Sequence, residues 1–324
     1  MMIHASIDIG TNTLRLLIAE YDGGILKPLI YKRAITRLGG NYKESIGIDA
    51  DSARRTISAL EEFGRTISGY GVSSVNAVAT SVVRRAGNRG QFIKEAHERA
   101  GVDIEVISGD EEARLSLLGV ASVIKDAAER RLVMDIGGGS TEFIFTWGAR
   151  TVGAWSVEMG VVHLAERHLK SDPPLMLELE CLYTEIRGVT STLKSTIAAH
   201  GIRAFDYSGT KGATLIGTAG TITTLAAMDQ DLDVYDRDRI NNYTLRRDRI
   251  RTMYEDLSSL TLKEREKVLA LEKGREDLII PGAAITLAVM DEFGFEEMKV
   301  SDAGLLEGVI IDRAGADRFS PYPQ

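Results

Sequence analysis

The sequence predicts an α/β chain made of two duplicated halves, and three observations predict it. An apolar run from Ile3 ends in Asp8-Ile9-Gly10, and a second from Leu132 ends in Asp135-Ile136-Gly137. Each is followed by small hydroxyl or glycine residues and then by another apolar run, as a strand–turn–strand unit requires. The length of 324 residues also exceeds what one core usually supports. The two copies lie 127 positions apart, from 8 to 135, which suggests duplication with a cleft between the copies.

In the first half, strands are expected at Ile3 to Ile9, Leu14 to Ala19 and Leu26 to Tyr31, with the turn Gly23-Gly24 between the last two. Ala53, Ile57, Leu60, Phe63 and Ile67 recur every three or four residues and predict a helix of about four turns. A strand at Val75 to Ala79, a helix at Gln91 to Ala100, a strand at Ile104 to Ile107 and a helix at Glu111 to Val123 follow. The order then begins again with strands at Leu132 to Asp135, Glu142 to Thr146 and Ala154 to Glu158. A long helix from Pro174 to Ala199 and a strand at Thr214 to Gly217, running into a helix from Thr221, continue it. An apolar helix at Gly282 to Phe293, a strand at Met298 to Val300 and a last helix from Leu305 close the chain. The expected domains are 1–125, with the closing helix 305–324 packed back on it, and 126–304.

Composition narrows the function. Apolar residues make up 44% and charged residues 27%, the balance of a soluble globular protein. The net charge of −8 argues against a general nucleic-acid binder. A local basic groove still suits an anionic substrate, with Arg84, Arg85, Arg89 and the run Arg246, Arg247, Arg249, Arg251 as candidates; the run also fits a solvated helix face. There is no basic leader and no stretch of about 20 apolar residues, so no membrane association and a cytoplasmic location are expected. The single cysteine, Cys181, falls in an apolar helical pattern and is expected in the core. The five histidines have no metal-ligand spacing and read as structural or surface groups.

The chemistry concentrates at strand ends. Gly10, Thr11, Asn12 and Thr13, then Gly137, Gly138, Gly139, Ser140 and Thr141, offer amides and hydroxyls to an anion, with glycine permitting left-handed angles and close approach. A third loop, Gly217-Thr218-Ala219-Gly220-Thr221, lies between a strand and a helix, where free N–H groups bind anions. One such loop alone is as well read as an ordinary turn; three together suggest a phosphate cradle. Asp8 and Asp135 cannot hold phosphate, but suit a divalent cation. Arg84, at the end of Ala79-Thr80-Ser81-Val82-Val83-Arg84, can grip phosphate through its planar fork, and is as well read as a surface arginine. Glu111 and Glu112, in Ser108-Gly109-Asp110-Glu111-Glu112-Ala113-Arg114, either favour a helix dipole or activate a water.

These motifs, with Pro281-Gly282-Ala283 and Ser301-Asp302-Ala303-Gly304-Leu305, resemble the exopolyphosphatase / guanosine pentaphosphate phosphohydrolase (Ppx/GppA) family, in its short two-domain form. The resemblance implies two ribonuclease-H-like domains of the actin, hsp70 and sugar-kinase superfamily and Mg2+-dependent release of a terminal phosphate. It points to Glu112 as the base, with Glu111 as fallback, to Asp135, Ser140 and Glu142 as functional positions of the second loop, with Glu142 joining Asp135 at the metal, and to polyphosphate or guanosine pentaphosphate as substrate. Two departures stand out: Asn241-Asn242-Tyr243 where many members have His-Gly-Tyr, and Leu306 in Gly304-Leu305-Leu306-Glu307-Gly308 where many have arginine. A sugar or acid kinase and a non-catalytic sensor of polyphosphate or an alarmone are the alternatives, and a homodimer is compatible with the phosphohydrolase form.

Overall fold

The first strand is buried from its third residue to its end, which demands a neighbour along each edge and a cover on each face. The computed structural model describes residues 2–40, 42 and 47–316 and supplies both. The chain divides into two compact units, Met1–Ser122 with Ala303–Gln324, and Val123–Asp302.

In the first unit, β1 (Met2–Ile9) lies between β2 (Thr13–Asp22), antiparallel, and β4 (Ser74–Ala79), parallel. The edges are β3 (Ile25–Ile35) and β5 (Ile104–Val106), in the order β3-β2-β1-β4-β5. Its helices are α1 (Ala50–Ser68), α2 (Ser81–Arg85), α3 (Arg89–Ala100) and α4 (Gly109–Val123). Alternation along β2 covers both faces of the sheet. Leu14, Leu16 and Ile18 join Ile57, Leu60, Phe63 and Phe92 on the α1 and α3 side. Leu17, Ala19 and Tyr21 meet Leu306, Ile310 and Ala314 of the closing helix Leu305–Ala316 on the other. The expected extension of that helix to 324 falls, beyond 316, outside the described residues.

The second unit repeats the plan with β6 (Arg130–Ile136), β7 (Thr141–Trp147), β8 (Arg150–Val157), α5 (Val161–His168), α6 (Met176–Ala199), β9 (Thr214–Thr218), α7 (Ala219–Asp229), α8 (Arg237–Ile240), β10 (Thr244–Arg246), α9 (Arg247–Ser259), α10 (Leu262–Arg265), α11 (Ile279–Phe293) and β11 (Glu297–Val300). The closing helix Leu305–Ala316 is α12. The sheet order β10-β11-β9-β6-β7-β8, read from its other edge, matches the first unit with β10 added. Both units are therefore α/β and ribonuclease-H-like, as the resemblance implies. Helix α11 is buried at every position from Ile279 to Met290, the pattern of a helix enclosed by its neighbours. Among the described residues no helix is long and apolar enough to cross a membrane.

Two expectations need correction. Cys181 is exposed, not in the core. The buried stripe of α6 runs through Leu182, Ile186, Leu193 and Ile197, and a residue one position before Leu182 is turned about 100° away from it. The long helix expected from Pro174 begins at Met176, and the shorter α5 precedes it.

Helices α4 and α12 approach without room for a methyl group: a Cβ at Gly308 would lie 1.8 Å from Leu115 O, and one at Gly119 would lie 1.9 Å from Gly304 O. Gly188, mid-helix in α6, has nothing within 4 Å of its Cβ position. Gly308→Ala should cost about 3 kcal/mol by overpacking, whereas Gly188→Ala should add about 0.5–1 kcal/mol by helix propensity, both read from denaturant midpoints.

Candidate functional site

In each unit three parallel strands end side by side, the position where α/β sheets bind ligands. In the first unit Asp8 pairs with Val78 and Ile9 with Ala79, and Ile107 N donates to Ala79 O. The segments leaving β1, β4 and β5 are thus Gly10-Thr11-Asn12, Thr80-Ser81 with α2, and Ser108 with α4. In the second unit Asp135 pairs with Thr218 and Val300 with Gly217, so the segments leaving β6, β9 and β11 start at Gly137, Ala219 and Ser301.

The two hairpins close alike. Gly10 N donates to Thr13 O at 3.1 Å, and Gly137 N donates to Ser140 O at 2.9 Å. A Cβ would sit 3.0 Å from Thr13 O at Gly10 and 2.9 Å from Ser140 O at Gly137, so these glycines serve close approach rather than left-handed geometry. In the third loop the left-handed residue is Ala219 (φ 71°), not Gly217 or Gly220. Thr11 and Asn12 are buried and bonded through their carbonyls, which accept from Gly39 N and from Thr36 N and Arg37 N. Thr141 is wholly buried and its hydroxyl donates to Met159 O. Thr218 and Thr221 are buried, and Thr224 Oγ1 donates to Gly220 O at 2.7 Å.

The equal closures give an unequal outcome across the strands. Asp8, 3% exposed, faces Arg15, whose Nε donates to Asp8 Oδ2 at 2.8 Å, while Asp8 Oδ1 has no hydrogen-bond partner among the described residues. Asp135, 8% exposed, faces Glu142, 1% exposed. Glu142 Oε1 accepts from Ser140 Oγ at 2.8 Å and Ser156 Oγ at 2.7 Å. Two buried carboxylates opposite each other require a countercharge or a proton. The buried, unpartnered Oδ1 and this carboxylate pair both have the chemistry of a hard-cation site. No cluster of three or more His, Cys, Asp or Glu placed to hold a metal occurs among the described residues.

Glu111 and Glu112 separate on the first turn of α4. Glu112 is 9% exposed and accepts from Arg84 Nη1 at 3.1 Å; the same nitrogen donates to Ile107 O at 2.9 Å. Glu111 accepts two bonds of 2.8 Å from Arg114, whose Nη1 also meets Asp312 Oδ1 at 2.9 Å. The Arg114 bonds hold the Glu111 carboxyl below its ordinary pKa.

The Ppx/GppA phosphatase family profile matches residues 17–316. The chain belongs to the Ppx/GppA phosphatase family. It is 30% identical over 324 residues to exopolyphosphatase 2 of Mycobacterium tuberculosis, covering 96% of this chain and 98% of that protein. A bifunctional 3-dehydroquinate synthase/phosphatase of Fusobacterium nucleatum is 31% identical over 96% of this chain and 46% of its own length. The crystal structure of the Aquifex aeolicus Ppx/GppA family member superposes with a TM-score of 0.81 at 32% identity, covering 98% of this chain and 99% of that one. An exopolyphosphatase from Cytophaga hutchinsonii gives 0.87 at 25% identity, covering 97% and 98%.

Both departures from the Ppx/GppA pattern have structural accounts. Asn242 holds a left-handed conformation (φ 67°), which asparagine tolerates in place of glycine. Its side chain donates to Val123 O at 3.0 Å and accepts from Lys125 N at 2.7 Å. Leu306 is a core residue beneath β2, so its effect is packing. The basic run is ion-paired: Arg246 with Asp248, Arg247 and Arg251 with Asp291, and Arg249 with Asp229. Sequence reasoning missed Arg275. A Cβ at Gly220 would lie 1.9 Å from Arg275 Nη2, so a guanidinium sits against the first turn of α7.

A carboxyl with a folded-state pKa below its unfolded value stabilises the fold above that value and stops doing so as pH falls. For Glu111 this places the loss below pH 4.5. Thermal midpoints measured from pH 7 to pH 3 should show Glu111→Gln destabilised at neutrality and converging on wild type at the acid end.

Proposed function

We propose that the protein is a phosphohydrolase that releases terminal orthophosphate from inorganic polyphosphate, with Glu112 orienting and deprotonating the attacking water. The observation that carries this reading is the placement of Glu112: buried, fixed by Arg84, and on the segment leaving β5, two strands from the Asp8 hairpin. Glu111 has the same residue type and the same helical turn, but its oxygens are occupied by Arg114. In the proposed reaction water adds to the terminal phosphorus, the bridging P–O bond breaks, and the proton passes to Glu112 Oε. The shortened chain departs with the bridging oxygen. Such transfer depends mostly on positioning and charge neutralisation. Within the first unit the backbone amides and hydroxyls at 10–13 would bind phosphate oxygens, with Arg84 adding positive charge; within the second, those at 137–140 and 217–221 would do so, with Arg275 adding positive charge. Mg2+, when bound at Asp8 or at Asp135 and Glu142, supplies that neutralisation.

The second reading is guanosine pentaphosphate 5′-phosphohydrolase, favoured by the breadth of the family to which the chain belongs. Purified protein incubated with polyphosphate or guanosine pentaphosphate and Mg2+ should release orthophosphate, and the preferred substrate separates the two readings. Binding without turnover on either would replace both with a sensor. Chelation by EDTA should abolish release, and added Mg2+ should restore it.

Glu112→Gln should lower kcat by about 100-fold or more, the scale of a lost general base, while Glu111→Gln stays within about three-fold of wild type. Equal losses in the two variants would remove Glu112 from this role.

A further inference from the structure

The most heavily buried arginine of the second unit lies outside all three loops. Arg265, the last residue of α10, is 4% exposed. Taking a guanidinium out of water is costly unless it is well paired. Arg265 is only thinly compensated: Nη1 donates to Glu276 O, Nη2 lies 3.5 Å from Asp172 Oδ1, and Nε has no partner among the described residues. Its bonds join it to two separate segments, the turn that carries Glu276 and the one that carries Asp172.

Its principal bond goes to the carbonyl of the residue that follows Arg275. The residue before Arg275 is held as well, since Gly274 N donates to both carboxylate oxygens of Glu276 at 2.8 Å. Arg275 itself is fixed at both backbone ends: its N–H donates to Glu272 O at 3.0 Å, and its carbonyl accepts from Leu278 N and Ile279 N at 2.9 Å. Its Nε pairs with Glu272. The turn has no strand to support it; Arg265 is the buried post against which it is built. At the other end of the arginine side chain the guanidinium rests against Gly220.

We propose that Arg265 is a positioning residue, which acts through the 272–279 turn to hold the Arg275 guanidinium over the Gly220 turn and so sets the affinity for a phosphate group there. The proposal rests on the phosphohydrolase reading for its ligand, but the positioning can be read separately.

The test combines amide hydrogen exchange with kinetics on inorganic tripolyphosphate, using the full chain. Arg265→Met should speed exchange across 272–279 while leaving β6 and β9 protected. It should raise KM for tripolyphosphate about five-fold or more with kcat within about two-fold, the pattern of lost binding rather than lost chemistry. In an Arg275→Ala background the same substitution should change KM by less than about two-fold, because two residues acting as one unit are not additive. Arg265→Lys, which keeps the charge but not the planar fork, should recover part of the affinity and serves if Arg265→Met fails to fold. Unchanged exchange at 272–279, or KM effects that multiply in the double variant, would overturn the proposal. If wild type neither hydrolyses nor binds tripolyphosphate, the phosphohydrolase reading fails, and exchange alone decides whether Arg265 holds the turn.

Discussion

A single backbone hydrogen bond per unit, from Gly10 N to Thr13 O and from Gly137 N to Ser140 O, sets what the loops can do. It fixes the register of the central hairpin, so the residue seven positions after each aspartate faces it. A slip of one residue would turn every side chain of the second strand to the other face. The same bond excludes a side chain at Gly10 and Gly137. The chemistry then diverges on identical geometry. The first hairpin sets Arg15 against its aspartate, and the second sets Glu142 against Asp135. The two frames match, and the residue at position 15 or 142 makes them unequal.

Much of the fold was legible in the sequence because long apolar runs and helical periodicity report burial directly. Strands β1, β6 and β9 and helices α1 and α11 fall within a few residues of expectation. The misses are short or atypical. Helices α8 and α10 have four residues each, too few to show a period, and both are set by side-chain caps, Asp236 and Thr261. Helix α2 has five residues and follows β4 after the single residue Thr80, so it too is too short to show a period. Cys181 was misplaced because an apolar neighbourhood gives the length of a stripe but not its angular edge.

The site was legible where local residues suffice. Aspartate at a strand end with glycine two residues on, twice, marks the hairpins without any knowledge of the tertiary structure. What the sequence could not reveal is partnership across distance. Arg84 meets Glu112 over 28 positions, Arg114 neutralises Glu111 rather than a ligand, and Arg275 reaches Gly220 from 55 residues away. The conspicuous arginines at 246–251 are absorbed by Asp229, Asp248 and Asp291. Charge density along a chain is therefore a poor guide to charge available for binding.

The segment from Tyr235 to Asn242 has a bearing on how such a chain arises. Asn242 grips Val123 and Lys125, where the chain enters the second unit; Tyr235, Arg237 and Asn241 all bond to Asp302, where it leaves. Entry and exit are fastened to one short stretch, the arrangement in which a whole domain can be spliced into a host without straining either. The first unit is correspondingly interrupted, its closing helix α12 supplied from beyond the insert. The polypeptide has the topology of a guest seated within a host of its own kind, and the asparagine at a position suited to glycine is one of the stitches.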